Sequence, residues 1–297
     1  ADIDNQGQPF YLDGIGSVTI DGGLVRNVVF EPSGDAIVRV TRGTLRDITL
    51  NAPSMIQSGE IVVIDGLFVL NAPMRLGNGL GNQGELRIDP ASWSGTGSIW
   101  SSGPEANKLY IPNVIPSWLS ITLDDRDWLY TSSPLINNGT LRFVGDGVVD
   151  YEAVFSGATS VVNNGTFSVE NGMKLSIPMF QNNPTGVATF SDSYVILKSS
   201  ATNAPSWINN GQFHFINSRV DLQGRFSHPD LGNYSHSGGA IWIMGIYDDQ
   251  TLIQAGDWAV GPGGWMSGTV TTGNYQLLFS GGTAQSIVLN GNGRVDA

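Results

Sequence analysis

Leu135-Ile136-Asn137-Asn138-Gly139-Thr140-Leu141-Arg142-Phe143 is a unit that the chain repeats. Val161-Val162-Asn163-Asn164-Gly165-Thr166-Phe167-Ser168-Val169 and Trp207-Ile208-Asn209-Asn210-Gly211-Gln212-Phe213-His214-Phe215 are close copies. Each has an apolar entry, an Asn-Asn-Gly corner and a segment apolar at the second and fourth positions past the glycine. That period of two is the mark of a strand with one buried face. Asn-Asn-Gly can adopt the left-handed backbone of a tight corner, and that is the conformation expected here.

A single repeated strand cannot bury its own face, so copies must stack on one another. Glycine anchors with an apolar residue two positions on run from Gly23 through Gly43, Gly66 and Gly84, then from Gly139 to Gly293. Ten of the eleven intervals span 17 to 28 residues; the one from Gly84 to Gly139 spans 55. Two early segments align without a gap, Gly23-Leu-Val-Arg-Asn-Val28 and Gly43-Thr-Leu-Arg-Asp-Ile48. This alignment points Val25, Leu45, Val28 and Ile48 inward and Arg26 and Arg46 outward, with a bulge or bend between the apolar pairs.

No stretch holds a helical period over three turns, because Pro and Gly interrupt each candidate. The fold expected is all-β: one right-handed parallel β-helix over residues 1–297, a single-stranded solenoid of about eleven or twelve coils. A β-propeller would need blades of ~40–45 residues, which the spacing argues against, and a β-sandwich is the other alternative. Residues 90–134 break the ruler and read as an inserted loop. They carry Trp93, Trp100, Trp118 and Trp128, half of the eight Trp, with Tyr110, Tyr130 and the cluster Asp124-Asp125-Arg126-Asp127. Residues 224–238 read as a second loop. The expected core is Leu141, Phe143, Phe167, Val169, Phe190, Phe213 and Phe215. Asn138, Asn164 and Asn210 are expected to stack at one turn.

Composition limits the function. The chain has 14 Lys and Arg against 26 Asp and Glu, a net charge of −12, which argues against nucleic acid or an anionic membrane as partner. Cysteine is absent, so disulfides, thiol catalysis and Cys–metal sites are excluded. No run of ~18 apolar residues suggests a membrane-spanning helix. No basic segment followed by an apolar stretch reads as a signal peptide, and Gly293-Arg294-Val295 reads as the start of another coil. The chain is therefore expected to be a mature or excised piece of a longer protein.

The Ile-Asn-Asn-Gly-Thr-Leu repeat resembles the β-helical passenger regions of bacterial autotransporters and two-partner-secretion adhesins. The likeness covers mainly residues 135–217, with weaker echoes at 17–89 and 239–295. It implies a secreted or cell-surface bacterial scaffold that adheres or displays loops. The chain differs from the family in length, and no membrane-anchoring barrel is recognised in it. Phage tailspikes and polysaccharide-cleaving enzymes share the architecture, so fold alone does not choose among them.

Hydrolysis of a glycan would need two carboxylates across a groove. Asp124, Asp125, Asp127, Asp146, Asp150 and Glu152 are the candidates, with Arg142 or Lys174 for a lyase; a solvated strand face is the favoured reading of all of them. No Gly-x-Ser-x-Gly elbow is present, and His214, between Phe213 and Phe215, should face solvent. His228, Asp230 and His236 are zinc-ligand types without a zinc spacing. No cofactor is expected; calcium on stacked carboxylates is the one ion considered, since Asp89 and Glu170 both lie five residues past an anchor glycine. The aromatic segment is the expected binding surface. Trp and Tyr offer flat faces to sugar rings, and Trp118 and Trp128, beside Asp124 and Asp127, are expected to meet a polysaccharide or a neighbouring copy of the chain. The function expected is a non-catalytic, adhesin-like scaffold, with a carbohydrate-active enzyme or tailspike as the alternative.

Overall fold

The computed structural model describes residues 2–13, 16–57, 61–77, 83–101, 103, 106–131, 134–147, 152–198, 207–247, 251–253 and 256–296. The chain is a β-solenoid of about 12 turns whose paired strands run parallel. Among the described residues the sole helix is the four-residue His228–Leu231. The coils group into two compact units, residues 1–143 with 153–157, and residues 144–152 with 158–297.

In the first unit Ser17–Pro32 pairs with Ile37–Leu50, which pairs with Ile61–Leu70, which pairs with Glu85–Gly95. Val25, Leu45, Ile64 and Ile88 fall in one inward column, as do Val62, Leu86, Leu109 and Leu129. All are buried. Each such side chain taken out of water stabilises the coil by about 1.5–3 kcal/mol. Arg26 and Arg46 stand in register on the outer face, where Asp4 holds Arg26 at 3.1 Å and Asp65 holds Arg46 at 2.6 Å.

The bend inferred between the apolar pairs is a left-handed residue. Asn27 (φ 54°), Asp47 (φ 53°) and Gly66 (φ 71°) occupy it on successive coils. The Asp47 carboxylate accepts the Leu67 N–H at 2.8 Å, and a Cβ on Gly66 would collide with that same oxygen. Asn and Asp hold this φ on the neighbouring coils, so at Gly66 it is the Asp47 oxygen that favours a residue without a Cβ.

Residues 90–134 do not project as a loop; the described part of them is wound into the coils. Ser98–Ser101 pairs with Pro73–Leu76, and Ser120–Asp124 with Ser98–Ser101. Lys108–Ile111 lies between Glu85–Gly95 and Trp128–Thr131. Glu85 and Lys108 are 23 residues apart and Asn107 and Asp127 are 20 apart, ordinary coil lengths. The glycine ruler skipped these coils because Asn107 and Asp127 stand where Gly84 stands on its coil, and because residues 116–119 make the turn that Asn137-Asn138-Gly139 makes on the next. Residues 224–238 likewise belong to the coils, since Asn233–Ile243 pairs along Gln212–Leu222.

In the second unit Phe167, Ala188, Phe213 and Tyr234 form one column and Val169, Phe190, Phe215 and His236 the next. All seven expected core residues are fully buried. The corners differ from expectation in two ways. The inward amide ladder is built from the first Asn, not the second: Asn163 Nδ2 donates to Asn182 Oδ1 and Asn182 Nδ2 to Asn209 Oδ1, both at 2.8 Å. Strand alternation explains this, because Val161 and Asn163 sit two apart and share the buried face. The second Asn forms an outer contact, Asn183 Nδ2 to Asn164 Oδ1 at 2.6 Å.

The corner glycines Gly139, Gly165, Gly186 and Gly211 do not take the expected positive φ. Three of them are needed for close approach. A Cβ on Gly139 would strike the carbonyl oxygens of Leu119 and Pro116, and one on Gly211 those of Gly186 and Asn183. A Cβ on Gly186 would strike the Asn163 carbonyl and the Asn182 amide oxygen.

Candidate aromatic groove

The gap-free pairing of Lys108-Leu-Tyr-Ile111 on Trp128-Leu-Tyr-Thr131 sets Tyr110 against Tyr130 on the outer face of the first unit. Leu109 and Leu129 bury the opposite face of the same strands. The rings of Tyr110 and Tyr130 stack at 4.2 Å with planes 10° apart. Trp128, two residues back on the strand, stacks on Tyr130 at 5.8 Å and 13°. On the preceding coil the Arg87 guanidinium lies 5.0 Å from the Tyr110 ring centroid.

On the following coil Tyr130 is in register with Ser156, so among the described residues the row of rings ends there. A groove of about 450 Å³ opens here, with Arg87, Asp89, Tyr110, Tyr130, Ser156 and Gly157 in its walls. Gly157 (φ 84°) lies so near the Thr131 carbonyl that a Cβ would not fit. That part of the floor is therefore held at a position that cannot carry a side chain.

Polar groups ring the aromatic row. Lys108 Nζ donates to Glu85 Oε2 at 3.3 Å. The hydrogen bond to Glu85 raises the Lys108 pKa. Burial first, then the Glu85 charge, raises that of Tyr110. Arg87 and Asp89 are exposed on the same strand two residues apart. The arrangement offers ring surface, a cation, a carboxylate and hydroxyls within one opening. Pockets that orient small ligands have this make-up.

Of the residues expected to form a site, Trp128 belongs to this row. Trp118 packs edge-on against Trp93, with centroids 6.0 Å apart. Asp127 is fully buried. Its Oδ1 accepts from the Asn107 N–H at 2.9 Å, and its Oδ2 from the Asp124 N–H at 2.8 Å and from the Ser101 hydroxyl. The carboxylate closes a turn and does not face the groove. Burial pushes it up to about 7, while the bonds from Ser101, Asp124 and Asn107 pull it back down. Burial and the Asp125 charge push half-buried Asp124 up to about 6.

Asp146 is exposed, and Asp150 lies outside the described residues. Glu152 pairs with Lys174 at 3.5 Å. Asp89 and Glu170 fall in different units. Asp230 caps the short helix through the Ser227 N–H at 2.8 Å, and the His236 ring packs on Phe215. His214 is half-buried on the outer face, with Nδ1 2.8 Å from Ser235 Oγ. Among the described residues no cluster of three or more His, Asp or Glu is placed to hold a metal ion. Tyr110 and Tyr130 were named only as members of the aromatic segment, and Arg87 was not singled out by sequence reasoning. The 20-residue alignment of Lys108-Leu-Tyr-Ile on Trp128-Leu-Tyr-Thr is the signal that carries the two tyrosines. No protein-family model, curated protein or solved structure matches the chain.

Proposed function

We propose that this β-solenoid is a secreted or cell-surface scaffold that binds a glycan along the Tyr110–Tyr130–Trp128 face without turning it over. One observation carries this reading: the aromatic row ends at Tyr130 beside Ser156 and Gly157, where the groove opens. A pyranose ring is apolar on its faces and polar at its rim. It would lie against Tyr130 while Arg87, Asp89 and Ser156 meet its hydroxyls. The inward commitment of Asp127 supports binding without cleavage, since it removes one of the six candidate carboxylates. The resemblance of the Asn-Asn-Gly repeat to adhesin passenger regions supports the cell-surface placement.

The test is a titration of the intact protein with laminarin, dextran, alginate and polygalacturonate, followed by tryptophan fluorescence. Tyr130→Ala and Ser156→Phe should each weaken the tightest interaction at least tenfold, the first by removing the ring and the second by filling the space beside it. Unchanged affinity in both variants would sink the proposal. Reducing ends or unsaturated sugars accumulating with time would replace it with the enzyme reading.

A further inference from the structure

The second unit has an outward constellation that the groove reading does not use. Tyr194 and Arg219 are in register on neighbouring coils, as are Asp221 and Trp242. The Arg219 guanidinium lies between two rings, 4.9 Å from the Tyr194 centroid and 4.2 Å from that of Trp242. Its Nε and Nη2 donate to the two oxygens of Asp221 at 2.8 and 3.2 Å, and the Tyr194 hydroxyl donates to the same carboxylate at 2.7 Å. Asp221 is only 3% exposed. Among the described residues, these contacts take up both faces of the guanidinium and one edge and leave the opposite edge for approach.

Beside it lies a recess of about 440 Å³ lined by Asp192, Ser193, Tyr194, Asn217 and Arg219. Asp192 (φ 47°) and Asn217 (φ 49°) are the left-handed bend residues of their coils, and both are exposed. Asn217 Nδ2 reaches Asp192 Oδ1 at 3.3 Å. The recess is of a size that takes one or two sugar rings. Its charges decide the class of ligand. Arg219 is balanced by Asp221 and Lys174 by Glu152, leaving Asp192 as the uncompensated charge of this set. An added carboxylate or sulfate would be repelled. A pair of hydroxyls finds acceptors on Asp192 and Asn217 and donors on Asn217 and Arg219. Because Arg219 is already fixed by two rings and a carboxylate, it loses little freedom when a ligand arrives.

We propose that the second unit holds its own sugar-binding site, in which a neutral pyranose sets two vicinal hydroxyls against Asp192, Asn217 and the free edge of Arg219. The site stands on this geometry and does not depend on the groove around Tyr130.

The experiment uses the full chain carrying Tyr130→Ala, so that the first groove is silenced, and calorimetric titration with laminarin, dextran and polygalacturonate as separate probes. Asp192→Gly with Asn217→Gly removes both side chains from backbone positions that glycine adopts without strain. A melting temperature within a few degrees of the parent would show the coil intact. At least one neutral polymer should bind the Tyr130→Ala protein, and the double glycine change should weaken it tenfold or more. The proposal is overturned if the Tyr130→Ala protein binds neither neutral polymer, if it prefers polygalacturonate, or if the glycine changes leave the affinity where it was.

Discussion

Tyr130 sits against Tyr110 of the adjacent coil with ring centroids 4.2 Å apart and planes 10° from parallel. The two residues are 20 positions apart in sequence and one strand spacing apart in space. Their contact should appear as coupling. In a double-mutant cycle with Tyr110→Ala and Tyr130→Ala, urea unfolding should report an interaction of about 0.5–1.5 kcal/mol. Additive single losses would mean that the stack contributes nothing.

Phe167 is fully buried and touches the rings of Phe180 and Phe190. Phe167→Ala removes that ring from a packed column and should cost about 3–5 kcal/mol in equilibrium unfolding. A loss below ~1 kcal/mol would show that the column can collapse around the gap.

Asn182 is the middle rung of the buried amide ladder. It donates to Asn209 and Gly186 and accepts from Asn163. Asn182→Ala leaves these groups short of a partner, although Asn163 Nδ2 keeps a carbonyl acceptor and Asn209 Oδ1 keeps the Gly211 N–H. The expected cost is about 1–3 kcal/mol by chemical denaturation. An unchanged unfolding midpoint would exclude a stabilising role for the ladder.

Gly186→Ala tests why the corner needs glycine. The residue has no positive φ, so an alanine there is not penalised by backbone conformation. Collision with the Asn163 carbonyl should nonetheless destabilise by about 1–3 kcal/mol, as overpacking does. A neutral or stabilising result would contradict the close coil-to-coil approach.

Asp127 predicts a pH dependence. Burial holds its folded pKa at about 7, above the ordinary value of ~3.9 in an unfolded chain. Between those two values the folded protein binds the proton more tightly than the unfolded one. Its stability contribution is therefore full below about pH 4 and is lost as pH rises toward 7. The unfolding midpoint of the parent should fall more between pH 4.5 and 7.5 than that of Asp127→Asn, whatever the variant's absolute stability. Parallel slopes for the two proteins would count against this assignment.

Much of the architecture was legible because strand alternation is local. Val25 over Leu45 and Phe213 beside Phe215 follow from counting in twos, and the pairing register places them so. The bend after Arg26 and Arg46 was visible as an apolar spacing of three. The coils between Gly84 and Gly139 were not, because Asn107 and Asp127 replace the anchor glycine in one column and residues 116–119 replace the Asn-Asn-Gly in the other. The corner glycines were misread because crowding by a neighbouring coil's carbonyl leaves no trace within the repeat itself. The candidate groove was half legible. Trp128 was named for its chemistry, whereas Asp127 was named for its charge and turned out to be a turn-closing group. Nothing local in Asp-Arg-Asp tells an inward carboxylate from an outward one; the alternation set by Ile121, Leu123 and Leu129 does.

The parallel pairing has a bearing on how such a chain is made. Strand pairing within either unit sets side by side residues 16 to 27 positions apart. Closing a loop of that length costs nearly the same for every coil, since even a doubling would add only ~0.6 kcal/mol. A finished coil presents an open edge, and the next stretch of polypeptide is always the nearest one able to dock on it. Winding can therefore keep pace with delivery. A strand handed over piecemeal at one end finds its template already in place, with no need for the remainder to have arrived.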